Sequence, residues 1–488
     1  MAEGRRYRFA PLEQRGLLLG LGWAQLATIG AGCVLALGVV RLGSSSGGLF
    51  AAVAIVGAAG AFACWPVAGR TPVAWAPVMA MWALRRQKGP RLSPLPEAGR
   101  TVRWRDPPCT GRGGEVVAGA RVIAAPAYPG AAPFGVVHDT TSGGWSALLG
   151  VEGRSFALLD PAEKERRLNA WGAVLAALAR PGSPIHRVQW VERCSHGTSD
   201  QLVDYLAAAY DDDAPAAART SYERLIAGAG PATQQHETVL VISIHPRRAA
   251  RALRSFGRGD AAMCDLLRRE VRLLGSQAGG GELPELRPLS PDDVVDALVL
   301  PIADGPRTAG DADLSGRLRR RWPLAADDGW SSVRADNSYF ATYWVAEWPR
   351  LDVGADFLSP LLLVGGRRSV ALVMAPVDPE RAVREVGSAR TADLADEELR
   401  RRAGFLPSIR RRREAEGVAQ RETELADGHA EYRFSGYVTV AGPDRPSLET
   451  ACAEVEQAAR RAHLELRRLY GRQSEALSWT LPLARGLS

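Results

Sequence analysis

The sequence predicts an α+β protein: an N-terminal two-helix transmembrane hairpin followed by a cytoplasmic α+β body with strand–helix–strand units. Three observations predict it. Residues 16–40 and 47–69 carry no charged side chain, and about 20 apolar residues suffice for a helix to cross the hydrocarbon core. The 61 lysines and arginines against 54 acids give a net charge of +7, yet residues 1–92 alone hold ten basic residues and two acids. That piece is therefore +8 and the remainder −1. Beyond it, apolar residues switch repeatedly between the two-residue period of strands and the 3.6-residue period of helices, as in a body of helices packed on sheet. A chain that is 46% hydrophobic and 24% charged is neither disordered nor a disulfide miniprotein.

Glycine and alanine are frequent in both charge-free runs, which suits close helix–helix contact in lipid. The linker between them, residues 41–46, is short, so the helices are antiparallel neighbours. A secretory signal has an apolar core of about 7–15 residues; the first run is longer and a second follows at once. Arg5, Arg6, Arg8 and Arg15 precede the first run, Arg41 lies in the linker, and Arg70, Arg85, Arg86, Lys88 and Arg91 follow the second. The excess of basic residues on one side predicts a two-span protein of the cell membrane with both termini cytoplasmic. Residues 71–84 are apolar, contain Trp75 and Trp82 and run into the basic cluster at 85–88, the pattern of an interfacial segment lying at the headgroups. Residues 1–92 are thus the membrane hairpin with its interfacial segment.

Residues 89–114 are rich in Pro and Gly and read as a linker. A first α+β domain, residues 93–302, shows strand patterns at 116–123, 134–138, 145–151, 186–194 and 238–245. Asp160, Pro161 and Glu163 open a helix as cap, first-turn proline and capping-box acid, continued by Leu168, Trp171, Leu175 and Leu178. Residues 199–228 read as helical with a break at Pro215. Residues 260–274 place Met263, Leu267, Val271 and Leu274 on one face, and Ser290-Pro291-Asp292-Asp293 opens a further helix. Weak periodicity at 303–335 sets the start of a second α+β domain, residues 303–488. Its strands are 339–348 and 368–375; a helix opens at Asp378-Pro379-Glu380 and runs to 390, and 391–427 is a charged helical stretch. Strand 432–440, helix 447–463 and strand 464–469 close the domain, the helix carrying Leu448, Cys452, Val455, Ala459 and Ala462 on one stripe.

Motifs that carry chemistry are missing. A phosphate-binding loop needs a lysine after a glycine-rich turn, but the only lysines stand in RRQKGP (Lys88) and PAEKERR (Lys164). Gly257-Arg258-Gly259 follows no strand pattern and reads as a loop. The seven histidines are dispersed without HExxH spacing, and Asp211-Asp212-Asp213 lacks the spacing of a calcium loop. There is no GxSxG elbow and no SxxK; His138-Asp139, close to Ser142, reads as a strand-to-turn junction. The six cysteines form no CxxC and read as free, mostly buried thiols in a reducing compartment. The arginine runs at 400–402 and 410–413, amid Glu397, Glu398, Glu414, Glu416, Glu422 and Glu424, read as a salt-bridged helical face. Tyr339, Tyr343, Trp344 and Trp348 read as core and interface packing. No catalytic, cofactor-binding or metal-binding residue is assigned, no cofactor is expected, and a body without net positive charge speaks against direct nucleic-acid binding.

The strings YWVAEWPR (343–350), DFLSPLL (356–362) and ELADGHAEYRFSGYVTV (424–440), with the segment 448–487 ending in Gln473 and Leu481-Pro482-Leu483, resemble the N-terminal, non-motor region of the CagE/TrbE-class type IV secretion traffic ATPases. In that class the ATPase domain would start soon afterwards, whereas this sequence stops at Ser488. The N-terminal hairpin resembles the PrgI-like two-helix inner-membrane subunit of the same machines. Together they look like an actinobacterial family of membrane proteins encoded beside conjugation-type or secretion-type ATPases. The nucleotide-binding residues of the ATPase class have no counterpart, so the resemblance implies a non-enzymatic inner-membrane scaffold or adaptor that docks a separate motor ATPase. Its partners would be the lipid bilayer, that ATPase and other secretion-complex subunits, and oligomerisation is compatible with this role. Two alternatives stay open: a membrane component of another secretion system of the type VII kind, and a membrane-tethered enzyme without a recognisable motif.

Overall fold

The computed structural model describes residues 7, 9, 23–42, 46–65, 71–87, 120–125, 134–152, 159–196, 215–229, 234–278, 283–302, 322–323, 326–402 and 409–487. Helices α1 (Trp23–Leu42) and α2 (Ser46–Cys64) pair as a hairpin, and α3 (Pro72–Gln87) follows. All strands then join one antiparallel sheet, which has twelve strands among the described residues. In chain order they are β1 (Ala120–Ala124), β2 (Gly135–Asp139), β3 (Gly144–Glu152), β4 (Ile185–His196), β5 (Gln234–Ile244), β6 (Glu285–Pro288), β7 (Ala326–Asp328), β8 (Val333–Ala335), β9 (Ser338–Glu347), β10 (Arg368–Pro376), β11 (Tyr432–Gly442) and β12 (Glu465–Arg468). The body helices are α4 (Pro161–Leu178), α5 (Ala216–Ala229), α6 (Pro246–Leu253), α7 (Asp260–Ala278), α8 (Pro291–Val299), α9 (Ser359–Leu362), α10 (Pro379–Arg402), α11 (Ile409–Ala426), α12 (Arg445–Arg461) and α13 (Gln473–Leu477). The α+β class and the apolar hairpin are as the sequence predicts.

The strand order β1-β2-β3-β5-β4-β10-β11-β9-β8-β7, with β6 also on β3 and β12 also on β9, contains one topology twice. In the first copy β3, α4, β4, β5, α7 and β6 form a β-α-β-β-α-β unit ordered β6-β3-β5-β4. In the second, β9, α9, β10, β11, α12 and β12 do the same in the order β12-β9-β11-β10. Even the edges correspond. The outer edge of β3 pairs with β2 over residues 144–147 and with β6 over 149–152; that of β9 pairs with β8 over 338–340 and with β12 over 343–347. The copies join at β4 and β10, which run antiparallel with Arg368 opposite Cys194 and Met374 opposite Val188. Antiparallel pairing of equivalent strands is what a pseudo-two-fold axis at the seam requires. Each copy carries an insertion between its second and third strands in chain order: α5 in the first, the α10–α11 hairpin in the second.

Strand alternation divides the core. One face of the sheet packs Trp145, Ala147, Leu149, Leu240, Ile242 and Ile244 against α4, α6 and α7, and in the second copy Ala341, Tyr343, Val345, Val438 and Val440 against α9 and α12. The other face packs Leu148, Val241, Phe340 and Ala441 against α8 and the segment from α13 onward. Each large side chain buried this way contributes about 1.5–3 kcal/mol.

Local signals explain the helices. Asp160 caps α4 by accepting from the Glu163 amide at 2.8 Å, but Glu163 turns to Arg166 and Arg167 instead of closing the box. The α4 stripe centres on Val174 and Leu178, with Trp171 at its margin. Ser290 and Asp293 form a complete capping box on α8. Asp444 caps α12, whose stripe of Leu448, Cys452, Val455, Ala459 and Ala462 is buried. The helix opened at Asp378 does not stop at 390 but runs to Arg402 as α10, and the rest of the charged stretch 391–427 holds a second helix, α11, tied to it by Arg390 and Glu422. The weakly periodic region before β9 contributes strands β7 and β8, because edge pairing supplies what its sequence pattern lacks. Residues 116–119, 197–214 and 303–321, parts of three sequence-based assignments, lie outside the described residues.

Candidate membrane-anchoring site

Helices α1 and α2 touch through small residues. Ala36, Ala52 and Ala63 are buried there, and a Cβ on Gly32 would stand 2.4 Å from that of Ala59. Gln25 donates its side-chain amide to the Ala63 carbonyl at 2.9 Å, a polar contact of the kind that holds helices together in lipid. The outer surfaces are apolar and open: Val34, Leu35 and Leu37 on α1, Leu49, Phe50 and Val53 on α2 are all exposed. Two helices are thus long and apolar enough to cross a membrane, at about 1.5 Å per residue. Replacing Gly32 with leucine is expected to splay the hairpin, at about 1–3 kcal/mol for overpacking. A double-cysteine cross-link between the helices, compared in Gly32→Leu and the native chain, checks this; unchanged cross-linking would refute the close contact.

The chain on both sides of the hairpin is fastened to the body. On the N-terminal side, Tyr7 exchanges backbone hydrogen bonds with Val353 at 2.9 and 3.0 Å. Phe9 stacks on Trp348 and meets Phe357 edge-on, each at 5.3 Å between ring centroids, and Trp348 in turn meets Phe434. On the C-terminal side, Trp75 of α3 lies 5.8 Å from both Trp330 and Tyr470, and Trp82 meets Trp330 at 5.3 Å. Gly471 completes this contact. Its φ is +70°, and a Cβ there would stand 2.8 Å from Trp330 and 3.2 Å from Val78, so only glycine lets α3 sit so close. Helix α3 is therefore half a body helix, with Trp75, Val78 and Trp82 facing the protein. The α3 foothold lies on the outer edge of the second copy, beside β8 and β12, and the Phe9 foothold lies at the end of β9.

The residues weighed in the sequence for chemistry find structural roles. Asp139 accepts from the Thr141 amide, the Ser142 hydroxyl and both ends of the Arg485 fork. Burial raises its pKa, but those donors outweigh it and hold the carboxyl below its usual value. His138 stacks on Trp145. Gly257 and Gly259 both adopt positive φ in the turn between α6 and α7. His236 contacts Glu192, while Glu237 pairs with Arg193. Lys164 reaches Asp356 at 3.4 Å. Cys194, Cys264 and Cys452 are buried free thiols, and burial pushes Cys264 up to about 11. Among the described residues no cluster of His, Cys, Asp or Glu could hold a metal. Asp211-Asp212-Asp213, Lys88, Cys109 and the side chains of 400–401 and 410–413 lie outside the described residues, while Arg402 pairs with Glu398. Of the four aromatics around β9, Tyr343 is core, Trp344 donates to Ser435 from the opposite face, and Trp348 holds Phe9, so they form no common platform.

Gln473 and Leu481-Pro482-Leu483 belong to a buried strap, residues 473–487, that crosses the sheet face opposite α7 and α12. The Gln473 amide bonds both main-chain groups of Thr342, and Thr480 joins Thr439 and Thr342 in a hydroxyl chain. Sequence reasoning missed the strap and the partners of α3, Trp330 and Tyr470. The fold and the hairpin together define a class: an α+β protein with a duplicated sheet, coupled to a pair of apolar helices. No family model matches the chain, and no curated protein matches it.

Proposed function

We propose that the chain is an inner-membrane scaffold or adaptor subunit of a type IV secretion-like or conjugative apparatus, with both termini cytoplasmic, docking a separate motor ATPase and not hydrolysing nucleotide itself. The observation that carries the reading is the two-point attachment of the hairpin: Phe9 before it and Trp75 and Trp82 after it each pack on the body. A tethered enzyme needs only a flexible leash, whereas a scaffold must hold its body at a fixed place over the membrane. Attachment on both sides also supports the topology drawn from the basic flanks, since residues before and after a two-span hairpin return to one side. The secretion assignment rests on the resemblance of the strings at 343–362, 424–440 and 448–487.

Chemical cross-linking in native membranes, detergent extraction and mass spectrometry of the co-purified proteins test it. The expected result is enrichment of a P-loop ATPase together with further membrane subunits of one apparatus. Recovery of the chain without an ATPase or channel subunit, or turnover of nucleoside triphosphates by the purified chain alone, refutes it.

A further inference from the structure

Helix α3 presents an unsolved face. Residues 72–84 contain no charged side chain, so the helix is apolar all round over that stretch, a pattern that does not persist against water. Its inner face packs on Trp330 and Tyr470. Its outer face, with Ala76, Ala80, Met81 and Leu84, is exposed. The apolar run is about 20 Å long at 1.5 Å per residue, too short to cross a hydrocarbon core of about 30 Å. It follows α2 closely in sequence and packs against both α1 and α2, so its outer surface continues their lipid-facing surface.

We propose that the outer face of α3 is buried in the headgroup–acyl boundary of the leaflet on the body's side, making α3 a plate between bilayer and body. The proposal rests on the membrane reading of α1 and α2 and adds a docking surface to it. The lipid boundary is the occupant because the face continues the exposed apolar surface of α1 and α2, both of which α3 touches. An in-plane helix of this kind sinks about 5–10 Å below the headgroups. The clamp of Trp330, Tyr470 and Gly471 then draws the outer edge of the second copy to the membrane. The first copy stands farthest away, since the strands from β12 to β6 span roughly 35 Å at about 4.8 Å each.

The full-length chain, reconstituted into vesicles of phosphatidylethanolamine and phosphatidylglycerol bearing a clickable acyl chain, carries a benzophenone side chain at one of four positions: Met81 or Leu84 on α3, Leu35 on α1, or Glu380 on the body. Lipid adducts at Met81 and Leu84 are expected to match those at Leu35 and to exceed those at Glu380 by about tenfold. Adducts at Leu35 with none at Met81 and Leu84 overturn the docking of α3 and leave the membrane hairpin standing. A cross-linked dimer through Met81 in place of lipid adducts also overturns it, because the face is then an interface between copies. Absence of adducts at Leu35 removes the membrane reading and the proposal with it.

Discussion

Truncating Gln189 to alanine is expected to cost about 3–5 kcal/mol, because one buried side chain holds three main-chain groups of the strap. Gln189 lies fully buried in β4. Its Nε2 donates to the carbonyls of Trp479 at 2.9 Å and Leu481 at 3.0 Å, and its Oε1 accepts from the Ala484 amide at 2.7 Å. Losing the amide leaves those groups facing a void, at about 1–3 kcal/mol for each unsatisfied group, with the cavity adding to the loss. Arg187, which donates to Ala484 and Leu487, and the Arg485–Asp139 fork limit the damage. Urea unfolding of the detergent-solubilised chain measures the loss. Trypsin cleavage after Arg485 reports on the strap itself, since that guanidinium is mostly buried in the native chain. A variant that unfolds within about 0.5 kcal/mol of the native chain, with Arg485 still protected, would show that the amide does not hold the strap.

This contact explains the Gln473…Leu481-Pro482-Leu483 string in physical terms. Leu481 and Leu483 fill the core shared by Val137, Leu148 and Val241 of the first copy and Phe340 of the second. The strap begins on β9 of the second copy and ends on β4 of the first and on β2, the strand along the first copy's outer edge. It therefore staples the copies across the β4–β10 seam, on the face that lacks the large helices.

Elements whose signals are local were legible. Caps at Asp160, Ser290 and Asp444, and the stripes of α7 and α12, depend on neighbours within a few residues. The duplication was not legible, because its copies agree in topology and differ in content: α4 has 18 residues where α9 has 4. The short edge strands β7 and β8, three residues each, exist through pairing with β9 and carry no pattern long enough to read. At the anchoring site, the composition of 71–84 marked Trp75 and Trp82. Their partners Trp330 and Tyr470 lie in turns far along the chain, where no periodicity links them to a membrane segment.

Acidification from pH 6.5 to 4 is expected to destabilise the body through His186. Its ring stands at the start of β4, 5.5 Å from that of His245. Burial first, then the positive charge of Arg187, the neighbouring His245 and Arg248 lower its pKa from 6.5 to about 4. The unfolded chain thus takes up a proton below pH 6.5 that the folded chain refuses until about pH 4. Stability is full above pH 6.5, falls with pH through that window and loses nothing more from this group below it. The loss is at most about 3 kcal/mol at 1.36 kcal/mol per pH unit, less what solvent screening of a partly exposed ring removes. His138, also lowered by burial and by Arg121, adds to the same slope, whereas Asp139, held below the usual carboxylate range by Arg485 and its other donors, acts only at lower pH. Urea unfolding at pH 7 and pH 4.5 of the native chain and of His186→Asn isolates the His186 part. The pH-dependent loss should shrink by about 1–2 kcal/mol in the variant; an equal loss in both would show that His186 is protonated as readily in the fold as in water.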